Sequence, residues 1–131
     1  MKSMRSINEC FRFVALLKDC AKKKDLCNGI KLHEEVLERG LTENSSYVSS
    51  ALIAMYMKCG DVGKAQKAFD DLSVQDTVSW NALIGGYAHC GLGNEAIECF
   101  HQMKDEGIFP DKVTFTCILK ACGSVGSLEI G

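Results

Sequence analysis

The chain has 131 residues, of which 47% are apolar, and its formal net charge at pH 7 is −2. This length suits one domain or a few stacked repeats, and the apolar content excludes a disordered chain. A protein that binds nucleic acid mainly by neutralising phosphates should be basic, so the acidic balance argues against that kind of binding.

The segment 1–9, which carries Lys2 and Arg5, is interpreted as an N-terminal extension. It runs into helix-like sequence too early to be a cleavable organelle-targeting peptide. No stretch has the length and flanks of a secretory signal peptide or a membrane span. We therefore expect neither a targeting peptide nor a membrane partner for this chain.

The rest of the chain is predicted to form pairs of helices. In its first part, Leu16 and Leu17 mark one apolar helix face, and Ile30, Val36 and Leu37 mark a second. The same two-helix pattern then recurs, which divides the chain into four units. We place these units at 10–45, 46–76, 77–111 and 112–131, the last of them truncated.

The third unit shows the pattern most clearly. Trp80, Leu83 and Tyr87 recur on one face of its first helix, and Ala96 and Phe100 lie on one face of its second helix. Small residues such as Ala96 allow two helices to approach closely. Each unit is therefore predicted to be an antiparallel helical hairpin.

The units resemble one another in sequence. The stretch VSWNALIGGYAHCGLGNEAIECF at 78–100 repeats much of SSALIAMYMKCGDVGKAQKAF at 49–69, so that Tyr56 aligns with Tyr87. A lone helical hairpin cannot bury both of its apolar faces, so such units must stack. The sequence therefore predicts an all-α fold, a right-handed superhelical solenoid of helix-turn-helix repeats (an α-α superhelix).

The eight cysteines include no Cys-x-x-Cys pair, which leaves a structural zinc site with little support. Four of them recur near corresponding helix ends and suggest small buried fillers in a reducing compartment. These four are Cys20, Cys59, Cys90 and Cys122.

Two further patterns bear on catalysis. The His-Glu-Glu at 33–35 matches the first half of the zinc-deaminase signature, but the Pro-Cys-x-x-Cys half is absent. A metal cluster of His89, Cys90, Cys99 and His101 is disfavoured because adjacent residues point in different directions on a helix. We therefore predict a protein that is not an enzyme and needs no metal or cofactor.

The tetratricopeptide repeat is the nearest alternative, since Trp80, Tyr87 and Phe100 fit its spacing. However, Ile84 stands where that repeat has glycine, and the unit lengths vary. The stretch VSWNALIGGYAHCGLGNEAIECFHQMKDEGIFPD instead closely resembles a pentatricopeptide repeat. The order of unit lengths resembles the long-type, short-type, standard and long-type repeats of the plant PLS-type class.

The resemblance implies that each unit reads one RNA base through its fifth and last residues. These residues are Val14 with Ser45, Ser50 with Asp76, Asn81 with Asp111, and Thr116, whose unit lacks its last residue. In the family, the Asn81–Asp111 pair resembles a uracil reader with cytosine second, and Ser50–Asp76 resembles a guanine reader. Val14 cannot hydrogen-bond a base edge, so its unit is expected to read little.

The resemblance also implies that the second residue of each unit packs on the flat face of a base. These residues are Phe11, Tyr47, Val78 and Val113. Simpler alternatives stay open: Phe11 and Tyr47 could belong to the core between units, Asn81 could be an ordinary residue at a helix start, and Asp76 or Asp111 could be helix N-caps.

The expected function is sequence-selective binding of single-stranded RNA, as a recognition module in organellar RNA processing or C-to-U editing. The resemblance implies a mitochondrial or chloroplast location, with editing or processing factors in trans as further partners and no small-molecule substrate. The basic run of Lys18 and 22–24 could contact phosphates or form a solvated face. The alternatives are a tetratricopeptide-like protein-binding solenoid and a truncated, non-functional fragment.

Overall fold

The computed structural model describes residues 4–41 and 46–124, and within these ranges every regular element is an α-helix. The helices are α1 (Met4–Lys23), α2 (Leu26–Glu38), α3 (Ser46–Lys58), α4 (Val62–Asp70), α5 (Thr77–His89), α6 (Gly93–Asp105) and α7 (Lys112–Ser124). The prediction of an all-α fold is thus confirmed. Because α1 begins at Met4, residues 4–9 of the segment interpreted as an extension belong to the first helix.

The helices form two layers. In the inner layer α1 packs on α3, α3 on α5, and α5 on α7. In the outer layer α2, α4 and α6 each pack on the preceding helix of their own hairpin and on the next inner helix. Successive hairpins therefore share faces with their neighbours, which is the packing of a helical solenoid.

The core lies between the two layers and is continuous from hairpin to hairpin. Leu17, Ile53 and Ile84, which stand at corresponding positions in α1, α3 and α5, are fully buried. The Trp80 ring meets the Phe69 ring edge to face, with 4.6 Å between centroids. That contact joins α5 to the outer helix of the preceding hairpin, so the aromatic pair ties two units together.

Tight turns join the helices of each hairpin. Gly91 follows α5 with a φ of +79°, a left-handed conformation that favours glycine. The N–H of Leu92 donates back to the carbonyl of Tyr87 at 2.8 Å, which closes the last turn of α5. In the preceding hairpin, Asp61 accepts a hydrogen bond from the N–H of Lys64 at 3.1 Å and caps α4.

The inner helices α3 and α5 approach closely at Gly86. A Cβ at this position would lie 2.3 Å from Cγ and 3.0 Å from Cβ of Met57, a buried residue of α3. Such distances are shorter than van der Waals contact, so only glycine fits here without movement of α3 or its side chain.

All eight cysteines are free thiols. Of the four near helix ends, Cys20 is buried, while Cys59, Cys90 and Cys122 are partly buried. Among the described helices, none combines the length and apolar character that crossing a membrane requires.

Candidate nucleic-acid interface

A groove runs along the inner layer. One part has a volume of about 750 Å³ and is lined by residues of α1, α3, α5 and α7 together with Asp111. An adjoining part of about 460 Å³ is lined by α3, α5 and α7. The two parts share Ala54, Lys58, Asn81 and Ala82 in their linings, so together they form one groove along all four inner helices.

The predicted base-reading residues of the first helices all line this groove. Val14, Ser50 and Asn81 lie in the larger part, and Thr116 lies in the smaller part beside Asn81. The predicted reader Ser45 lies outside the described residues. Four different helices thus place their fifth-position side chains along one surface.

Of the predicted base-packing residues, Phe11, Tyr47 and Val113 are exposed and Val78 is half-buried. Tyr47, Val78 and Val113 line the larger part of the groove. Phe11 and Tyr47 are each 71% exposed, so neither belongs to the core between units. That alternative is therefore wrong for both residues, although Phe11 stands on α1 outside the lining of the groove.

Asn81 and Asp111 meet across the joint between α5 and α7. The Asn81 amide Nδ2 donates to Asp111 Oδ1 at 3.0 Å. The same Asp111 oxygen accepts the N–H of Thr114 at 3.1 Å and so caps α7. The backbone hydrogen bond from Thr114 and the side-chain hydrogen bond from Asn81 hold the pKa of Asp111 below its usual value. Asp111 is therefore both a helix cap and the partner of Asn81.

Ser50 and Asp76 are engaged by other residues. Asp76 Oδ1 accepts the N–H of Ser79 at 3.0 Å and caps α5, while its Oδ2 accepts the hydroxyl of Ser46. The Ser50 hydroxyl donates to the carbonyl of Tyr47 at 3.0 Å, within its own helix. Burial disfavours the ionised form of Asp76, but the hydrogen bonds from Ser46 and Ser79 outweigh it and lower the pKa.

Known families account for this architecture. The PPR repeat family model matches residues 75–124, and a PPR repeat model matches residues 47–74. The chain belongs to the pentatricopeptide repeat family.

Similar pentatricopeptide repeat proteins occur in Arabidopsis thaliana. One that is named as mitochondrial is 42% identical over 90% of this chain, and one that is named as chloroplastic is 37% identical over 92%. The chain spans only 17% and 19%, respectively, of the lengths of these two relatives.

A solved structure shows the same fold. The crystal structure of the pentatricopeptide repeat protein PPR10 in complex with an 18-nt psaJ RNA element superposes with a TM-score of 0.74 at 25% identity. The match covers 90% of this chain and 18% of PPR10. A structure of PPR10 from maize matches 92% of this chain with a TM-score of 0.69.

The groove of this pentatricopeptide repeat chain is locally basic. Lys18, Lys22, Lys58 and Lys120 line it, and Asp111 is the single acidic residue among the described lining residues. Lys18 and Lys22 belong to the basic run that the sequence showed, whereas Lys58 and Lys120 were not predicted to lie in the groove. Their signal is spacing: these lysines follow the fifth-position residues at i+4 or i+8, which places them on the same helix face.

The His-Glu-Glu at 33–35 lies away from the groove. His33 Nδ1 is 2.7 Å from the hydroxyl of Tyr56, and burial lowers the pKa of His33 and raises that of Tyr56 to about 12. Over residues 4–41 and 46–124, no three His, Cys, Asp or Glu residues are grouped so that they could hold a metal ion. His33 therefore serves the packing of α2 against α3.

Proposed function

We propose that this chain binds single-stranded RNA in the groove of its inner helices, with one base facing each unit. The observation that carries the proposal is the contact between Asn81 and Asp111, 3.0 Å apart on a surface that the fifth residues of all four units line. The similarity to a protein whose structure was solved with an RNA element supports it.

The third unit has the chemistry to read uracil. An amide has two N–H donors and a carbonyl oxygen with two lone pairs. In Asn81 one N–H is used by Asp111, and the carbonyl oxygen accepts the hydroxyl of Thr114. One donor and one acceptor site remain, which match the O4 acceptor and the N3–H donor of uracil.

Apolar side chains in the lining of the groove complement this polar contact. Tyr47, Val78 and Val113 stand one helical turn from the fifth-position residues and line the same groove. Aromatic and apolar side chains pack on base faces whatever the sequence, at about 1–3 kcal/mol per stacked base. We propose that these residues hold each base flat while the fifth residue contacts its edge.

The lysines of the groove are proposed to contact the phosphates. Lys58 lines both parts of the groove, and Lys120, one helical turn after Thr116 on α7, lines the smaller part. Ammonium groups along a nucleic-acid groove bind phosphates and release counterions, which makes affinity depend on salt. The net charge of −2 therefore does not describe the surface that faces the RNA.

The remaining units are proposed to contribute less to base selection. Asp76 Oδ1 already accepts two hydrogen bonds from Ser79, and Oδ2 accepts the Ser46 hydroxyl, so only one acceptor site of this carboxylate remains for a guanine. Val14 offers no polar atom to a base edge. The unit boundaries, the PLS-type class, the organellar location and a role in RNA processing or editing remain parts of the proposal.

Short homopolymeric RNAs of uracil, cytosine and adenine provide the test. Every unit then faces the same base, so the register of binding does not matter. We expect the wild-type chain to prefer uracil, and Asn81→Thr to reduce that preference by roughly tenfold because the amide is lost. An unchanged uracil preference in Asn81→Thr overturns base reading by this unit, and a partner captured equally well after ribonuclease treatment favours a protein-binding solenoid.

A further inference from the structure

Thr114 lies at the joint between two units and touches both members of the reading pair. It is the third residue of α7 and is fully buried. Its hydroxyl Oγ1 donates to Asn81 Oδ1 and also lies 3.0 Å from Asp111 Oδ1. The N–H of Asp111 donates to the same hydroxyl at 3.0 Å.

From these contacts we infer that Thr114 is a positioning residue for base discrimination, because its hydroxyl and the Asp111 carboxylate together hold the Asn81 amide in one of two orientations. The inference rests on the proposed function and deepens it. Asp111 receives the amide N–H on one side, and Thr114 engages the carbonyl oxygen on the other. Rotation of the amide by half a turn would break the hydrogen bond to Asp111 and place Asn81 Oδ1 next to Asp111 Oδ1.

The orientation matters because pyrimidines differ in the order of their polar atoms. Uracil presents an acceptor at O4 and a donor at N3, whereas cytosine presents a donor at N4 and an acceptor at N3. A freely rotating amide matches either order, while a fixed amide matches only one. Thr114 therefore contributes to the preference for uracil over cytosine, although it does not itself touch the base.

The preceding joint lacks this arrangement. Ser79 stands at the corresponding position of α5, and its hydroxyl donates to Asp76 Oδ1 at 3.0 Å. The fifth-position residue Ser50 takes no part in that group, since its hydroxyl donates to the carbonyl of Tyr47. Of these two joints, only the one between α5 and α7 has a group in which Asn81, Asp111 and Thr114 are joined by hydrogen bonds. Base reading by the third unit thus depends on a residue of the following unit.

Thr114→Val tests the inference because valine has a similar shape but no hydroxyl. We expect the ratio of uracil to cytosine affinity, measured with the two homopolymeric RNAs, to fall by roughly three- to tenfold. Thr114→Ser keeps the hydroxyl and should keep the wild-type ratio. Ser79→Ala removes the equivalent hydroxyl at the preceding joint, so it controls for a weakened helix start and should preserve discrimination by Asn81.

Each result has a distinct meaning. If the wild-type chain has no pyrimidine preference, the proposed base reading fails, and the role of Thr114 fails with it. If the wild type has a preference that Asn81→Thr loses and Thr114→Val keeps, only the role of Thr114 is overturned. Should Thr114→Val melt below the titration temperature, the free wild-type protein decides: its Asn81 side-chain amide protons must exchange slowly with solvent, and fast exchange overturns the inference.

Discussion

Two carboxylates that precede inner helices, Asp76 and Asp111, each have two tasks in the folded chain. Each caps the helix that follows it, α5 for Asp76 and α7 for Asp111. Each also accepts a hydrogen bond from a side chain of the preceding inner helix, from Ser46 of α3 or from Asn81 of α5. A cap needs an acceptor at the helix start, whereas a base reader needs an acceptor that faces the groove. Asp111 can satisfy both needs because it caps α7 and also lines the groove, whereas Asp76 is not among the residues of that lining.

Substitution of Asp76 separates the contributions of its cap and its charge. We expect Asp76→Ala to lower the free energy of unfolding by about 1 kcal/mol, and Asp76→Asn to lower it less because asparagine also caps helices. Urea titration at neutral pH measures both, with Glu98→Gln as a control for loss of an exposed charge. Equal losses in the alanine and asparagine variants would contradict a capping role.

The lowered pKa of Asp76 also predicts a dependence on pH. A carboxylate whose pKa is lower in the folded state stabilises the fold fully above its unfolded pKa. That stabilisation disappears as the pH falls through the folded pKa, which lies below the ordinary value of an aspartate. We expect Asp76→Asn to have a flatter stability profile in this acidic range than the wild type has.

At the scale of helices, periodicity identified the buried faces only in part: Leu16 and Leu37, which the sequence assigned to apolar faces, are 39% and 56% exposed. Leu83 and Tyr87 are buried as their spacing predicted, and α7 carries Thr116 into the groove as the alignment of units implied. Periodicity did not reveal that Phe115 is 52% exposed although its counterpart Trp80 is buried. A helical pattern specifies a face, but the neighbour that covers the face is set by packing elsewhere in the chain.

Hydrogen-bond partners were also beyond the reach of the sequence. Ser46 and Ser50 lie one turn apart on α3, yet only Ser46 donates to Asp76. The choice depends on the crossing of α3 and α5 and on the path of the segment before α5. Neither is encoded in the spacing of apolar residues.

The contact between α3 and α5 provides a test at the same scale. We expect Gly86→Ala to lower the free energy of unfolding by about 1–3 kcal/mol, since the added methyl group overlaps the Met57 side chain near its backbone. Thermal melting measures the effect. Gly123→Ala is the matched control, because its Cβ would have no atom within 4 Å; it should be neutral or slightly stabilising. Similar melting of both variants would show that α3 moves to accommodate the methyl group.

At the scale of the whole molecule, charge is distributed unevenly. Lysines line the groove with Asp111 as their one acidic neighbour in the described lining, while ion pairs such as Lys67–Asp71 lie on α4 and just after it. The overall composition led to the expectation that phosphate contacts matter little. Composition sums over all surfaces, so it could not show that the inner surface differs from the rest.

Salt titration of RNA binding tests this distribution. We expect Lys58→Gln to reduce the slope of log affinity against log salt by about 0.7, the value for one phosphate contact on a single strand. Lys67→Gln, whose ammonium is 3.5 Å from Asp71 on an exposed surface, should leave the slope unchanged. Equal slopes for the two variants would place the RNA on another surface.

The glycine contact between α3 and α5 has a consequence for the length of RNA that each unit spans. Ser50 and Asn81 stand on these two helices and line the groove, and the helices approach each other closely where Gly86 meets Met57. If RNA lies in the groove as proposed, the separation of α3 and α5 determines the distance between successive bases, and the lack of a side chain at Gly86 allows that separation to be short. A bulkier residue at position 86 would separate α3 from α5, so that Ser50 and Asn81 would no longer match the spacing of neighbouring bases.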